Sequence, residues 1–448
     1  MRPGPAGPVD VGHILDHGPW TGYQKIVLVM AALAVVLDGF DVQLIGFVIP
    51  SLIREWGISG SAFGPVVAAG MFGMAVGTSV IGVLADRLGR RRALIACVVV
   101  FGLATLGIAW VSNLTELMVL RFVAGVGIGA AMPVATTMGS EFTPLRVRAL
   151  AVTLIIVCIP VGGIIAGFIA ASLLPLQGWR GLFVIGGLAP LAFAAVLALL
   201  LPESPRFLVR REARWGELGR LLSRLGRPVA ASATFADHHE QHEESHTRLQ
   251  SLFRGGRRRD TLCLWGAFFC ILMVVYSVFS WLPTMLTAAG YGVAQASRAL
   301  AFFNVGGVAG AVVCALVVGR LGSRWPLVIA SLLSAAALVL VRTVGLGGAE
   351  NIGLLLPVVV IAGVFVNAVQ SLIYALATHV YTTNVRTTGV ATAATIGRVG
   401  AILSAFYGAF VISGGGAPVF LAGLAGLMVA TAVFLAGIRR HIPAHGRP

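Results

Sequence analysis

The sequence predicts an all-α polytopic membrane protein in which twelve transmembrane helices form two six-helix bundles. Of the 448 residues, 58% are hydrophobic and 11% are charged, whereas soluble domains carry about 25% charged residues. Apolar runs of about 20 residues, the length that spans a bilayer as a helix, recur along the chain. A short motif also occurs at corresponding positions of the two halves. These observations place most of the chain in lipid.

Twelve apolar runs are bounded by charges, Pro/Gly clusters or polar turns. They lie at 26–50, 63–84, 93–111, 115–138, 149–172, 180–201, 262–288, 297–319, 326–345, 353–378, 387–412 and 416–438. We therefore divide the chain into an N-terminal segment 1–25, a bundle 26–201, a connecting loop 202–261, a second bundle 262–438 and a tail 439–448. The connecting loop is polar and has too few large apolar residues for a core of its own, although a short surface helix is expected near 212–225.

The positive charges are distributed unevenly between the two sides of the predicted membrane. If the N-terminus is inside, only Arg54, Arg180, Arg298 and Arg342 of the 32 lysines and arginines lie in outer segments. Arg121 and Arg398 lie within apolar runs, and the others are inside. Because cytoplasmic loops carry the excess of positive charge, both termini are predicted in the cytoplasm, with the protein in the inner membrane of the cell. The net charge of +15 is thus a topology signal, and no nucleic-acid partner is expected.

Two related loops indicate an internal repeat. The loop after the second run reads GVLADRLGRRRAL (82–94), and the loop after the eighth reads ALVVGRLGSRWPL (315–327). Both contain RLG and a following arginine, although Gly319 replaces the aspartate of the first copy. Transporters built from two similar halves place their substrate site near the midplane, between the halves.

Two acids in the first run need an explanation. Asp38 and Asp41 lie in LDGFD (37–41), and an aspartate at the bilayer centre costs about 2.5–3.5 kcal/mol on insertion scales. Their spacing puts both on one helix face. Arg121, in the fourth run, needs a carboxylate or a wet path, and these two acids are its candidate partners. We interpret the three residues as a proton-coupling group; the alternative is a helix-packing pair of acids bonded to neighbours.

The loop 82–91 carries a charged motif. We predict that Asp86 forms a breakable latch between helices with Arg87 and Arg90. Glu141, at the cytoplasmic end of the fourth run, is interpreted as part of a structural or gating charge cluster. Here the sequence resembles the major facilitator superfamily, whose GxLxDRxGRR motif it matches. The RxxxGxGxG pattern that begins at Arg121 also resembles that superfamily. The resemblance implies that the loop gates the inward–outward transition and that the arginine serves proton coupling.

Further segments narrow the resemblance. LDGFD, the approach YQ (23–24), REWGIS (54–59), PESPRFL (202–208), YSVFSWLPTML (276–286) and VRTTGVATAATIGRVGAILSAF (385–406) are similar to the aromatic acid:proton symporter family. That family includes carriers of 4-hydroxybenzoate, protocatechuate, benzoate and hydroxyphenylpropionate. The resemblance implies that Asp38 and Asp41 are required, that Arg121 works with them, and that Arg386 and Arg398 matter.

The second half supplies the candidate substrate residues. Arg398 is intramembrane and is predicted to hold a carboxylate by a bidentate pair, whereas Arg386 is interpreted as a gate or a topology residue. His379 is either a proton relay or a packed boundary histidine. Aromatic residues of this half are predicted to flank an aromatic ring, with plain packing as the alternative: Tyr276, Phe279, Phe303, Tyr374 and Phe406.

Other chemistry is not expected. The five cysteines lie within apolar runs without a CxxC pair, and the run DHHEQHEESH (237–246) is interpreted as a solvated loop, so no metal site is predicted. No nucleophile–base constellation indicates an enzyme. We predict a monomeric secondary transporter in the lipid bilayer that imports an aromatic carboxylate with protons by alternating access, without a cofactor. The alternatives are a carrier of a sugar, a non-aromatic acid or an exported drug, and a transporter-like membrane sensor.

Overall fold

The computed structural model describes residues 8–230, 233–237, 252–253, 257–345, 351–381 and 383–444. Its helices are α1 (Val11–His17), α2 (Gly22–Trp56), α3 (Gly64–Leu88), α4 (Arg90–Ile108), α5 (Leu114–Glu141), α6 (Leu145–Leu200), α7 (Pro205–Val209), α8 (Trp215–Arg224), α9 (Arg258–Ala288), α10 (Val293–Leu321), α11 (Arg324–Gly345), α12 (Ile352–Val380), α13 (Thr383–Gly414) and α14 (Gly416–Gly437). Short 3-10 turns occur at Gly60–Phe63 and Glu212–Arg214. The strands β1 (Val9–Asp10) and β2 (Phe235–Ala236) pair in parallel.

Eleven helices in the described part of the chain are long and apolar enough to cross a membrane, and one of them is long enough to cross it twice. This helix is α6, whose 56 residues would be about 84 Å long if straight, against a hydrocarbon core of about 30 Å. The helix breaks at Gly178, where φ is 67° and ψ is −172°, a conformation that glycine adopts without steric cost. The twelve predicted crossings are therefore confirmed.

The helices continue beyond the apolar runs that predicted them. The first crossing, α2, begins at Gly22 and is capped by Thr21, whose hydroxyl accepts from the Gln24 backbone N–H at 3.4 Å. Gln24 in turn accepts from the Thr21 backbone N–H at 2.9 Å, which completes a capping box. Hydropathy marks only the part of a helix in hydrocarbon, whereas capping decides where the helix begins.

The two bundles repeat the same helix pairings. In the N-terminal bundle α3 packs on α5, the first half of α6 on α2, and the second half of α6 on α4. In the C-terminal bundle the corresponding pairs are α10 with α12, α13 with α9, and α14 with α11. The repeated motif in the two loops is therefore matched by repeated packing, and the two-bundle fold is confirmed.

The bundles meet near the end of the molecule where α2 ends, which we call the Trp56 end. There α2 packs on α9, α3 on α13, and α6 on α10. Gly46 is so close to the Phe279 carbonyl that no side chain fits between them, and Gly64 lies against Ala409. The opposite end of the molecule carries the loop between α3 and α4, and we call it the Asp86 end.

The N-terminal segment and part of the connecting loop cover the N-terminal bundle at the Asp86 end. Asp16 in α1 is buried and accepts from Arg148, at the start of α6, and from Arg206 in α7 at 3.3 Å. The strand pair joins the segment to the loop, since the Val9 N–H donates to the Thr234 carbonyl at 2.8 Å. The amphipathic helix α8 lies where the short surface helix was predicted. Of the histidine-rich run 237–246, all but Asp237 lies outside the described residues.

Candidate functional site

Arg121 and the two acids of α2 lie together inside the N-terminal bundle. The Asp41 carboxylate accepts from Arg121 Nη1 at 3.1 Å, and the side chains are 0% and 5% exposed. The Thr105 hydroxyl in α4 donates a short hydrogen bond to the other Asp41 oxygen. Three helices thus converge on Asp41. Because the pair is buried, removal of one partner would leave an uncompensated charge.

Asp38 lies one helical turn before Asp41 but has a different environment. Its side chain is 4% exposed, and Oδ1 has no hydrogen-bond partner among the described residues. It is within electrostatic range of Asp41 and of Arg398, which belongs to the other bundle. Asp38 is therefore an acid of the first crossing that interacts electrostatically with charged groups of both bundles.

Gly39, between the two acids, sets the position of α2. A Cβ atom at this residue would overlap the backbone of Ile159 in α6, and across the same contact Gly162 lies against the backbone of Val36. The two glycines let the helices approach at backbone distance, as small residues do between membrane helices. The glycine of LDGFD thereby fixes the direction in which both carboxylates point.

A small central cavity of about 40 Å³ in this state lies between the bundles, on the Asp86 side of the contacts that join them. Four helices contribute its walls: Ile156, Val157, Ile159 and Pro160 from α6, Phe279 from α9, Gly307 and Ala311 from α10, and Asn367, Gln370, Ser371 and Tyr374 from α12. Its position between the halves matches the midplane location that a two-fold transporter predicts for its substrate site.

The side chain of Arg398, in α13, is half-buried. It lies within electrostatic range of Asp38, Tyr276 and Tyr374. No carboxylate of the described residues forms an ion pair with it, so its guanidinium group is available to an anion. The structure therefore brings Arg398 within electrostatic range of Asp38 in the first crossing, a proximity that was not predicted from the sequence.

Four of the five predicted aromatic residues gather around the cavity. Tyr276 and Phe279 pack edge to face with ring centroids 6.1 Å apart, and Phe279 packs on the buried Phe303 at 6.3 Å. Tyr374 packs edge to face on Phe268 at 4.9 Å. Phe279 and Tyr374 line the cavity itself. The others support these two rings.

Phe406 does not join this group. Its side chain is 47% exposed on the outside of α13, near Gly64 of α3. It follows Arg398 by eight residues, which turns it about 80° around the helix and moves it about 12 Å along the axis. The substrate contact predicted for Phe406 is therefore not supported by its position.

The charged motif at the Asp86 end ties the helices of the N-terminal bundle together. Asp86 pairs with Arg90 at 2.9 Å, and Arg90 Nε lies 3.5 Å from Glu141 at the end of α5. Ser204, in the segment PESPR, donates a short hydrogen bond to Glu141. Arg87 is exposed, and its carbonyl accepts from Arg211 at 3.3 Å. Asp86, Arg90 and Glu141 therefore form one charge cluster, and the latch function predicted for Asp86, Arg87 and Arg90 stays a prediction.

Glu203 completes this network. Its carboxylate accepts from the backbone N–H of Arg91 at 3.0 Å and from that of Ser204 at 2.9 Å. The Arg91 side chain donates to the Ala198 carbonyl at 2.5 Å. The motif loop is thus bonded to the segment that follows the sixth crossing.

His379 and Arg386 lie apart from the central cavity. Both are exposed near the end of α12, where they line a surface groove with Tyr381 and Arg440. The structure does not bring His379 to the acids of α2.

Several polar residues of the central region were not singled out from the sequence. Thr105 was missed because threonine is common in membrane helices. Gln43 and Asn304 form a reciprocal amide pair across the bundles, with N–O distances of 2.8 and 3.3 Å. Their signal, an amide inside an apolar run, is as visible in the sequence as that of the acids. The same applies to Asn367.

The chain belongs to the Major Facilitator Superfamily, whose family pattern it matches over residues 31–405. Twelve crossings in two bundles and the charged loop motif agree with this membership. The resemblance to this superfamily, predicted from the sequence, is therefore confirmed.

Individual relatives are similar over most of their length. The gallate transporter of Pseudomonas putida is 37% identical over 445 residues, which is 98% of each chain. The 4-hydroxybenzoate transporter PcaK of the same organism is 38% identical over 406 residues, or 90% of each chain. Among solved structures, the inward-open xylose transporter XylE from E. coli aligns with a TM-score of 0.72 at 19% identity, covering 95% of this chain and 98% of its own; this similarity concerns the fold.

Proposed function

We propose that this protein imports an aromatic carboxylate together with protons by alternating access. The observation that carries the proposal is the group of intramembrane charges Arg121, Asp41, Asp38 and Arg398, which includes residues of both bundles. Arg398 is also within electrostatic range of Tyr374, which lines the central cavity. The relatives support the substrate class, since two of them transport gallate and 4-hydroxybenzoate. In this mechanism the carboxylate of the substrate binds Arg398.

In this mechanism, proton and substrate transport are coupled because Asp38 and the substrate carboxylate compete for the same cation, Arg398. When Asp38 is charged, it is attracted by Arg398 of the other bundle. A proton on Asp38 removes this attraction and leaves Arg398 free to pair with the substrate carboxylate. Asp38 gains or loses this proton without breaking a hydrogen bond at Oδ1, whereas Asp41 is held by Arg121 and Thr105. Proton and substrate therefore bind together.

The arrangement of the bundles favours an inward-facing state. The excess of arginine assigns the Asp86 end to the cytoplasm, so the contacts between bundles at the Trp56 end close the outer side. The cavity lies on the inner side of those contacts. The charged cluster of Asp86, Arg90 and Glu141 is then the cytoplasmic gate region, with Arg87 exposed beside it and Arg386 opposite on the C-terminal bundle. We place the protein in the inner membrane as a functional monomer.

The test is uptake of labelled benzoate, 4-hydroxybenzoate, protocatechuate, gallate and glucose into cells that express the chain, with and without a protonophore. Accumulation of one or more aromatic acids, lost on addition of the protonophore, is the expected result. Empty-vector cells provide the control. Accumulation of glucose alone, or uptake of aromatic acids that a protonophore leaves unchanged, contradicts the proposal.

A further inference from the structure

One face of α12 presents a row of polar side chains to the central cavity. Asn367, Gln370, Ser371 and Tyr374 are spaced at i, i+3, i+4 and i+7, which places them on the same side of the helix. All four line the cavity, and we call them the α12 ladder. The facing side chains of α6 and α10 are apolar. The cavity therefore offers hydrogen bonds to a ligand from one wall only, with Phe279 beside it.

Asn367 is held in a defined orientation within the ladder. Its side chain is 3% exposed, and Nδ2 donates to the Gly363 carbonyl at 3.1 Å. This bond identifies the nitrogen, so the amide oxygen remains as an acceptor. On the facing helix, a Cβ atom at Gly307 would come within 2.7 Å of the same amide. The asparagine is thus positioned by its own helix and by a gap left for it in α10.

Arg398 does not line the cavity among the described residues, but it is within electrostatic range of Tyr374, at one end of the α12 ladder. Asn367, at the other end of the ladder, lies two helical turns earlier in α12, about 10 Å along the axis. The ladder therefore has a cation within electrostatic range of one end and a neutral amide at the other. A flat molecule with a carboxylate at one end and hydroxyl groups at the other matches this distribution.

We propose that the α12 ladder binds the ring hydroxyl groups of the substrate and selects hydroxylated aromatic acids over benzoate. A phenolic O–H donates to the Asn367 oxygen, and Gln370 and Ser371 serve neighbouring hydroxyls, while the apolar wall of α6 covers the ring. A site built to bond a hydroxyl discriminates against the analogue that lacks it, because its polar groups are then left unpaired. This inference rests on the proposed function.

The experiment compares 4-hydroxybenzoate and gallate with benzoate as competitors of labelled 4-hydroxybenzoate uptake. The variants are Asn367→Leu, Gln370→Leu and Ser371→Ala. The matched control is Ser334→Ala, which removes a buried hydroxyl of α11 that is bonded only to its own helix, at the Ala330 carbonyl, 2.8 Å away. The amount of folded protein in the membrane is measured for each variant by size-exclusion chromatography of a fluorescent fusion.

We expect the preference for 4-hydroxybenzoate over benzoate to fall about tenfold in Asn367→Leu, since one hydrogen bond is lost. Gln370→Leu and Ser371→Ala are expected to reduce the preference for gallate, and in each variant the affinity for benzoate should fall less than the affinity for the hydroxylated acids. If Asn367→Leu is not produced, the other two variants decide the question, because their side chains are only half-buried.

The outcomes separate the two proposals. If the unchanged chain takes up no aromatic acid, the proposed function fails. If it does, but the preference among the acids is the same in all the folded variants, the ladder is a packing feature and this inference alone is overturned. An equal loss of affinity for benzoate and for the hydroxylated acids also overturns it, since that result indicates general damage to the cavity.

Discussion

At the scale of single residues, the two acids of α2 differ in what surrounds them although they differ little in sequence. Asp41 forms an ion pair with Arg121 and accepts a hydrogen bond from Thr105. Asp38 has no hydrogen-bond partner at Oδ1 among the described residues and lies within electrostatic range of Asp41 and of Arg398 in the other bundle. The difference arises because residues three apart on a helix are still about 60° apart around its axis. The two carboxylates therefore have separate tasks in the proposed mechanism.

Asp38→Asn is expected to abolish proton-driven accumulation while exchange of substrate across the membrane continues. Asparagine keeps the shape of the side chain but cannot take up a proton, so Arg398 stays free for the substrate in every state. The measurement compares uptake into proteoliposomes under a pH gradient with counterflow in its absence. Accumulation that still follows the pH gradient in this variant would exclude Asp38 as the coupling group.

Arg398→Gln is expected to weaken substrate binding more than tenfold, because a charge-assisted pair with the carboxylate is lost. Arg398→Lys should restore part of the affinity, since lysine keeps the charge without the planar fork. Binding to the purified protein is measured by calorimetry with 4-hydroxybenzoate. Equal affinity in the glutamine variant and the unchanged protein would place the carboxylate elsewhere.

At the scale of the helices, glycines and one amide pair determine how the bundles join. Gly39 and Gly162 bring α2 onto α6 within the N-terminal bundle, and Gly46 brings α2 onto α9 of the other bundle. Gln43 and Asn304 then bond to each other with both side chains fully buried. A buried amide is costly unless it is hydrogen-bonded, so this pair favours the state in which the Trp56 ends of the bundles are in contact.

Gln43→Leu and Asn304→Leu are each expected to lower the stability of the protein by about 1–3 kcal/mol, because each leaves a buried amide with a lost partner. The double variant, with an apolar side chain on both helices, should recover part of that loss. Thermal unfolding of the detergent-purified proteins gives the three values for a double-mutant cycle. Strictly additive losses would show that the two amides do not act as a pair.

At the scale of the whole molecule, the two ends of the transporter are held in different ways. The Trp56 end is closed by contacts between the bundles. At the Asp86 end, the charged cluster of Asp86, Arg90, Glu141 and Ser204 is bonded within the N-terminal bundle and its following segment. Alternating access requires that contacts at one end break as those at the other form. In the proposed mechanism, the cluster would change partners when the Asp86 end of the molecule closes.

Asp86→Asn is expected to reduce the maximal rate of uptake several-fold while the affinity for substrate stays the same. Asp86 lies far from the cavity, and its exposed i, i+4 pair with Arg90 contributes about 0.3–0.5 kcal/mol to stability, so the effect should appear in the conformational step. Uptake kinetics give the maximal rate and KM separately. An increase in KM with an unchanged maximal rate would contradict a gating role.

Much of the architecture could be predicted from local composition. Apolar runs marked every crossing, including the two halves of α6, because the cost of placing polar groups in lipid acts on each segment by itself. The intramembrane charges Asp38, Asp41, Arg121 and Arg398 were visible for the same reason. The position of Phe406, on the exposed outside of α13, could not be told from the sequence because aromatic residues are common both in lipid-facing and in site-facing positions. Of the α12 ladder, only Tyr374 was singled out from the sequence, because the helix face that lines the cavity depends on packing against other helices.

The sequence by itself determined the number of crossings, the two-bundle organisation and the set of buried charges, since hydropathy and charge are properties of the residues alone. Only the tertiary structure decided that Arg121 pairs with Asp41 and that Asp38 lies within electrostatic range of Arg398. It also decided that Asn367, Gln370 and Ser371 line the cavity. These facts depend on the rotation of each helix about its axis and on which helix lies beside it. Both are set by contacts between residues far apart in the chain, such as Gly39 with Ile159.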